Sequence, residues 1–281
     1  MNLSALTTGL VLCTSMLFTS CSVNGIANTN VSLEGNEAEA TVKKTVKIND
    51  FNEIEASQGI KIIFEQGPSK HTAVVATTPS AEKYLKIEVK DNTLKAYYSN
   101  TEGVRNVKIK GPTTIRVSSP ELNEVSLSSA ANLSIVGDLN VKGTFEIDLS
   151  SASSFNVGSV SCLNLDADLS SSASASIGLL IGNLDTDLSS ASSMSVDNMK
   201  GNVDAETSSA ASLKINSAKT SNISAEASSA SSIGISDISG GSISASASSG
   251  AKINLSGKAD RLKQNSSSGG SVNTSGLSIR N

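Results

Sequence analysis

The chain has no tryptophan, and aromatic residues make up only 3% of its 281 positions. Large globular cores rely on aromatic side chains for much of their buried area, so the interior here has to be narrow and aliphatic. Histidine occurs once, at His71, and proline four times. One imidazole cannot build a histidine-rich metal centre, and it leaves serine or cysteine nucleophiles elsewhere without their usual base. No charge of one sign dominates either. Twenty-two Lys and Arg face 26 Asp and Glu, for a net charge of -4 and a pI near 5.2. With no basic run of five residues, the electrostatic footprint of a nucleic-acid binder is missing. The one sustained apolar run, Gly9 to Phe18, is too short to span a bilayer and reads as the core of a signal peptide.

A refrain fills the second half of the chain. From Leu127 onward a polar strand leads into Ser-Ser and a small residue, and two alternating apolar positions follow. The first serines are Ser128, Ser150, Ser170, Ser189, Ser208, Ser228 and Ser248, stepping by 22, 20, 19, 19, 20 and 20 residues, with a frayed last copy near Ser266. A unit of this length cannot bury its own core, so neighbouring copies must stack. The residues ahead of Ser-Ser alternate with a period of two, as in Phe145, Ile147 and Leu149 against Glu146 and Asp148. A second alternating strand follows each Ser-Ser, for example Leu213-Ile215, and a third apolar point recurs at Val160, Met199, Ala218 and Ile238. Three inward sides per turn predict an all-β fold, a single-stranded parallel β-helix with turns of about 20 residues. Ser and Asn suit its corners because their short side chains bond nearby backbone. Seven to eight turns at about 4.8 Å each make a rod of roughly 35–40 Å.

The two ends read differently. Residues 1–20 form a signal peptide ending in Leu17-Phe18-Thr19-Ser20-Cys21, which resembles a bacterial lipobox with Cys21 as the lipidated residue. Ser20 departs from the commoner Gly or Ala, and residues 1–8 lack Lys and Arg. Several acyl chains on Cys21 would hold the protein firmly on a membrane. Residues 21–44 read as a flexible polar tether. No acidic cluster follows Cys21, so the expectation is an outer-membrane lipoprotein facing either the periplasm or the outside. Cys13 leaves with the signal, which strands Cys162 without a disulfide partner. Cys162 is expected to pack in or beside the coil as a small hydrophobe.

Residues 45–125 lack the refrain and read as an N-terminal β cap with the first coils, ahead of the repeats at 126–281. Strands are expected at Thr45–Ile48, Glu53–Ala56, Gly59–Gln66, Thr72–Thr77, Leu85–Lys90, Leu94–Ser99, Val107–Lys110 and Thr114–Val117, with a hairpin loop at Asp91-Asn92-Thr93. A solenoid needs such a cap, because an open terminal turn pairs with strangers. This segment is expected to run directly into the first coil. The run Phe51-Asn52-Glu53-Ile54-Glu55-Ala56-Ser57-Gln58-Gly59-Ile60-Lys61-Ile62-Ile63-Phe64-Glu65-Gln66-Gly67 resembles the opening of the family called putative autotransporter adhesin head, GIN domain. Lys61 stands where the family name has Asn. The runs 85–94 and 119–125 also match, and the resemblance covers about residues 45–260. It implies a right-handed β-helix, export through a lipoprotein signal and an adhesin-like or structural binding role, and it supplies no catalytic residue.

Candidate chemistry lies on the outer face. Glu146/Asp148, Asp166/Asp168, Asp185/Asp187 and Asp204/Glu206 form i, i+2 pairs on the same strand of successive turns. Stacking places their carboxylates about 5 Å apart, where they repel by about 1 kcal/mol per pair in water. Two readings follow for Asp166, Asp168, Asp185, Asp187, Asp204 and Glu206. Ca²⁺ could bridge the column, or the acids form a solvated face that keeps sheets from associating. No other cofactor is expected. Paired carboxylates also suggest a polysaccharide-acting enzyme, but the repeat lacks aromatic platforms for sugars and has no Arg between Arg116 and Arg261. The Ser-Ser columns have no base beside them. The expectation is therefore a binding scaffold rather than an enzyme, with an envelope or surface ligand, glycan or protein, as partner.

Overall fold

The computed structural model describes residues 39–99, 109 and 111–280. The signal, Cys21, most of the tether and all of the expected strand at 107–110 except Ile109 lie outside the described residues. The molecule is a parallel β-solenoid. Its single helix among the described residues, α1, is one turn at Pro79–Glu82, with Thr78 accepting the Ala81 N–H at 3.2 Å.

Among the described residues seven strands precede the regular repeats, β1 (Val42–Lys47), β2 (Glu53–Ala56), β3 (Lys61–Gln66), β4 (Thr72–Thr77), β5 (Leu85–Lys90), β6 (Thr93–Tyr98) and β7 (Thr114–Ser119), and β8 (Glu124–Leu127) and β9 (Asn132–Val136) open them. β1 begins at Val42, inside the stretch expected to be tether. Its lysines are compatible with pairing because it is an edge strand, lying antiparallel to β4 and bonded on one side. β5 and β6 form the expected hairpin, with Lys90 opposite Thr93 and positive φ at both Asp91 and Asn92. That is the two-residue primed turn whose twist matches the strands.

The stacking order differs from the chain order. β2 pairs in parallel with β6 on one side and β8 on the other, and β3 likewise lies between β7 and β9. The coil made by β2 and β3 is thus inserted between a later coil, β6–β7, and the first repeat coil, β8–β9. The cap does not simply precede the solenoid. It wraps out and back, and β5, α1, β4 and β1 cover its outer end.

Eight coils follow from β8 to the last described strand, Ser271–Ile279, paired in parallel with local register shifts after Ser161, Ile235 and Asn254. Inward positions are apolar and buried, as in Phe145, Ile147 and Leu149, then Leu165, Ala167 and Leu169. Phe145 and Phe155 are fully buried, with ring centroids 6.0 Å apart. Where an inward position is polar, backbone of the adjoining coil satisfies it. Ser153, Ser192 and Ser231 donate to the carbonyls of Leu127, Leu169 and Thr207, and Thr186 donates to that of Ala167. Each such bond avoids the desolvation cost of an orphaned hydroxyl.

The Ser-Ser corner is a strained turn. In successive coils its second serine and the next residue both have positive φ, as in Ser151 (54°) with Ala152 (62°) and Ser190 (54°) with Ala191 (61°). The turn closes with an N–H from the fourth residue to the first serine, for example Ser153 N to Ser150 O at 3.2 Å. The paired left-handed conformation explains the small residue after Ser-Ser: a branched side chain would clash there.

Candidate functional site

Register assembles the acids into two columns on one outward face. The first runs Glu53, Glu124, Glu146, Asp166, Asp185 and Asp204 without interruption. The second runs Asp148, Asp168, Asp187, Glu206 and Glu226, with Glu55 beyond Ser126. All six acids singled out in the sequence are exposed and aligned, Asp166, Asp185 and Asp204 in one column and Asp168, Asp187 and Glu206 in the other. Glu53 and Glu55 join through the inserted coil, which no local pattern reveals, and Glu124 joins from the first repeat coil, one repeat before Glu146. Glu226 was readable as the fifth acid at its repeat position.

Each column ends at a cation. Lys95 faces Glu55 and forms an ion pair with it, and the neighbouring effect raises the Lys95 pKa. At the other end Lys263 stands beside Ser244, past Ser224, in line with the first column. Between them no described Lys or Arg forms an ion pair with a column carboxylate, and Glu53 accepts the Thr93 hydroxyl at 2.6 Å. Glu124, Asp168 and Asp185 are held above the usual carboxylate range, first by partial desolvation and then by flanking acids. For Glu206 the leading cause is the charge of Asp187. Among the described residues no three His, Cys, Asp or Glu side chains gather into a group that could hold a metal ion. The acids form a row rather than a cage.

A groove of about 1160 Å³ lies along the first column, from Thr144 to Lys263. One wall is Asp166, Asp185 and Asp204. The other is an asparagine corner, in which Asn183 donates to Asn164 at 3.1 Å and accepts from the Asn202 N–H at 3.0 Å, while Asn202 accepts from the Asn222 N–H at 3.1 Å. This asparagine ladder was visible in the sequence only as corner residues. Leu262 and Ile279 line the groove at its C-terminal end, beside Arg261.

The remaining candidates are inert in their settings. Cys162 is half-buried and free, and burial pushes its thiol up to about 11, which disfavours the thiolate. His71 sits in the exposed turn between β3 and β4, with Nδ1 3.3 Å from Asp50. The corner serines Ser151, Ser171, Ser190 and Ser209 are exposed turn residues. No described helix is long and apolar enough to cross a membrane.

Comparison with known proteins bears on both fold and family. A solved structure of a putative adhesin from Parabacteroides merdae superposes with a TM-score of 0.74 at 18% identity, covering 85% of this chain and 97% of that one. A putative adhesin from Parabacteroides distasonis gives 0.71 at 17% identity over 85% and 99%. A putative lipid binding protein from the same species gives 0.63 at 20% identity over 85% and 97%. These likenesses establish a shared fold. No curated protein matches the chain. The profile of the family described as putative auto-transporter adhesin, head GIN domain, matches residues 50–235 and again 202–281. With nearly all of the solenoid covered by that profile, the chain belongs to the putative auto-transporter adhesin head GIN domain family.

Proposed function

We propose that the chain is an exported, non-catalytic binding module, held at the cell envelope by lipid on Cys21, whose acidic face takes an extended envelope or surface ligand. One observation carries the reading: two columns of carboxylates, with a groove alongside, run continuously over at least five coils of a rigid sheet. An open groove parallel to the axis suits a chain-like ligand better than a small molecule, which favours enclosed cavities. Membership in a family named for an adhesin head accords with this role.

The enzymatic alternative finds less support. General acid–base catalysis separates two carboxylates by environment, keeping one protonated and one ionised. Here Asp166, Asp168, Asp185 and Asp187 repeat in nearly the same surroundings, and none is sheltered from water.

Three measurements test the reading. Labelled fatty acid should appear on the wild-type protein in cells and not on Cys21→Ser, and external protease should cleave it on intact cells. Binding to envelope or host-surface preparations should fall at least tenfold in the triple variant Asp166→Asn/Asp185→Asn/Asp204→Asn while its melting temperature holds or rises. Unlabelled protein, or binding indifferent to the three carboxylates, removes the proposal.

A further inference from the structure

Charge is distributed unevenly along the solenoid. Residues 39–119 contain thirteen Lys and Arg against nine Asp and Glu, whereas residues 120–281 contain nine against fifteen. The N-terminal end is therefore basic and the repeats acidic, so the rod has an electrical polarity along its axis that the modest net charge conceals.

The excess sits at the extreme end. β1 and β5 are the outermost strands on the two sides of the terminal coil, and α1 lies between β4 and β5 in the chain. Lys43, Lys47, Lys83, Lys86 and Lys90 are all exposed there, and none forms an ion pair with another described residue. The acids of the same elements are engaged: Glu82 pairs with Lys44 at 3.0 Å, and Glu88 accepts the Tyr97 hydroxyl at 2.8 Å. Edge lysines guard against strand pairing, but that duty explains β1 and β5 and leaves Lys83 on α1 without a role.

We propose that this lysine collar docks the N-terminal end of the solenoid on an anionic lipid surface. The inference rests on the envelope reading above. β1 is the first described strand after Cys21, so a chain anchored there presents this basic end to the bilayer before the repeats. The attractions of the five lysines to headgroup phosphates add up without an anchor, and lipid on Cys21 would strengthen them further by raising the effective concentration. The same surface repels the acidic columns, so the rod stands away from the membrane with its acidic face free. A nucleic acid or an acidic protein offers similar charge, but nothing in the chain brings either to this end.

The test uses the chain from Ser22, without acyl groups and with every described strand, in sedimentation with vesicles. Vesicles of phosphatidylcholine with 30% phosphatidylglycerol should carry it down, those of phosphatidylcholine alone should not, and 1 M salt should release it, since screening then acts within about 3 Å. Lys43→Glu/Lys47→Glu/Lys86→Glu/Lys90→Glu should weaken partition by at least tenfold. Lys214→Glu/Lys219→Glu/Lys252→Glu, on the repeats, should not. If the reversals fail to fold, glutamine at the same four positions should still weaken binding several-fold. Equal binding to both vesicle types, no binding to either, or full binding by the collar variants overturns the proposal. So does duplex DNA retained while anionic vesicles are not. Fatty-acid labelling reports on Cys21 independently, so loss of the anchor and loss of the collar are distinguishable.

Discussion

Glu53 and Glu124 lie directly opposite each other on adjoining parallel strands, although five other described strands separate them along the chain. Glu146 flanks Glu124 on its other side, and the Glu124 pKa is raised, by desolvation first and then by Glu53 and Glu146. Asp168, Asp185 and Glu206 are raised as well. A carboxyl whose pKa is higher folded than unfolded penalises the native state at neutral pH, and the penalty lifts as pH falls through the raised value. Acidification from pH 7 toward about pH 4.5, just above the ordinary carboxylate range, should therefore raise the melting temperature. Most proteins behave oppositely, because paired carboxylates lose partners in acid. Neutral 0.5 M salt should also stabilise, and Glu124→Gln should diminish both responses. Thermal melts over pH and salt check this. A melting temperature that falls steadily from pH 7 contradicts it.

The corners offer a second prediction, about strain rather than charge. Ala152 and Ala191 have φ of 62° and 61°, each after a serine that is also left-handed. At the ends of the solenoid the equivalent position already holds glycine: Gly59, Gly250 and Gly269, with φ of 74°, 76° and 78°. An alanine held there costs about 1–2 kcal/mol, against about 0.5–1 kcal/mol for the greater entropy glycine loses on folding. Ala152→Gly or Ala191→Gly should accordingly stabilise by about 0.5–1 kcal/mol. Gly250→Ala should cost a similar amount. Urea midpoints resolve either change, and destabilisation by Ala152→Gly would show that stacking of the turns outweighs backbone strain.

The repeats were legible because the same side chain returns to the same inward position about every 20 residues. Phe145, Leu165, Leu184, Val203 and Ile223 mark out one column by their spacing alone, and the observed pairings place them side by side. The hairpin at Asp91-Asn92 was legible for a local reason, since those residues tolerate positive φ. Insertion of the β2–β3 coil was not legible. Parallel pairing joins residues far apart in sequence, and both neighbours of β2 offer similar alternating strands, so the alternation fits either order. The acidic face was consequently seen only in part, from Glu146 to Glu206, because Glu53 and Glu55 enter it through that insertion, while Glu124 stands one repeat before Glu146 on β8. The first half of the edge strand β1, Val42–Lys44, was missed because its lysines suggest solvated tether, while a one-sided strand carries them outward without penalty.

The last described coil carries polar residues at inward positions. Gln264 occupies the inward position held by Ala245 in the coil before, Ser266 that of Ala247, and Ser271–Ile279 carries Thr274 close to where Leu255 sits. Gln264 and Ser266 are exposed, whereas Ala245, Ala247 and Leu255 are buried. Terminal repeats need a polar outer face to stay soluble, and Arg261 and Lys263 on the edge strand add charge against pairing with another sheet. Restoring the apolar column with Gln264→Val/Ser266→Ala/Thr274→Leu should leave the coil intact and open its end to association. Sedimentation velocity should then show concentration-dependent dimers or larger species absent from the wild type. Adding Arg261→Thr/Lys263→Thr should shift that association to at least tenfold lower concentration, because edge charges are the remaining barrier. A triple variant that stays monomeric at high concentration would mean that those edge charges alone close the end.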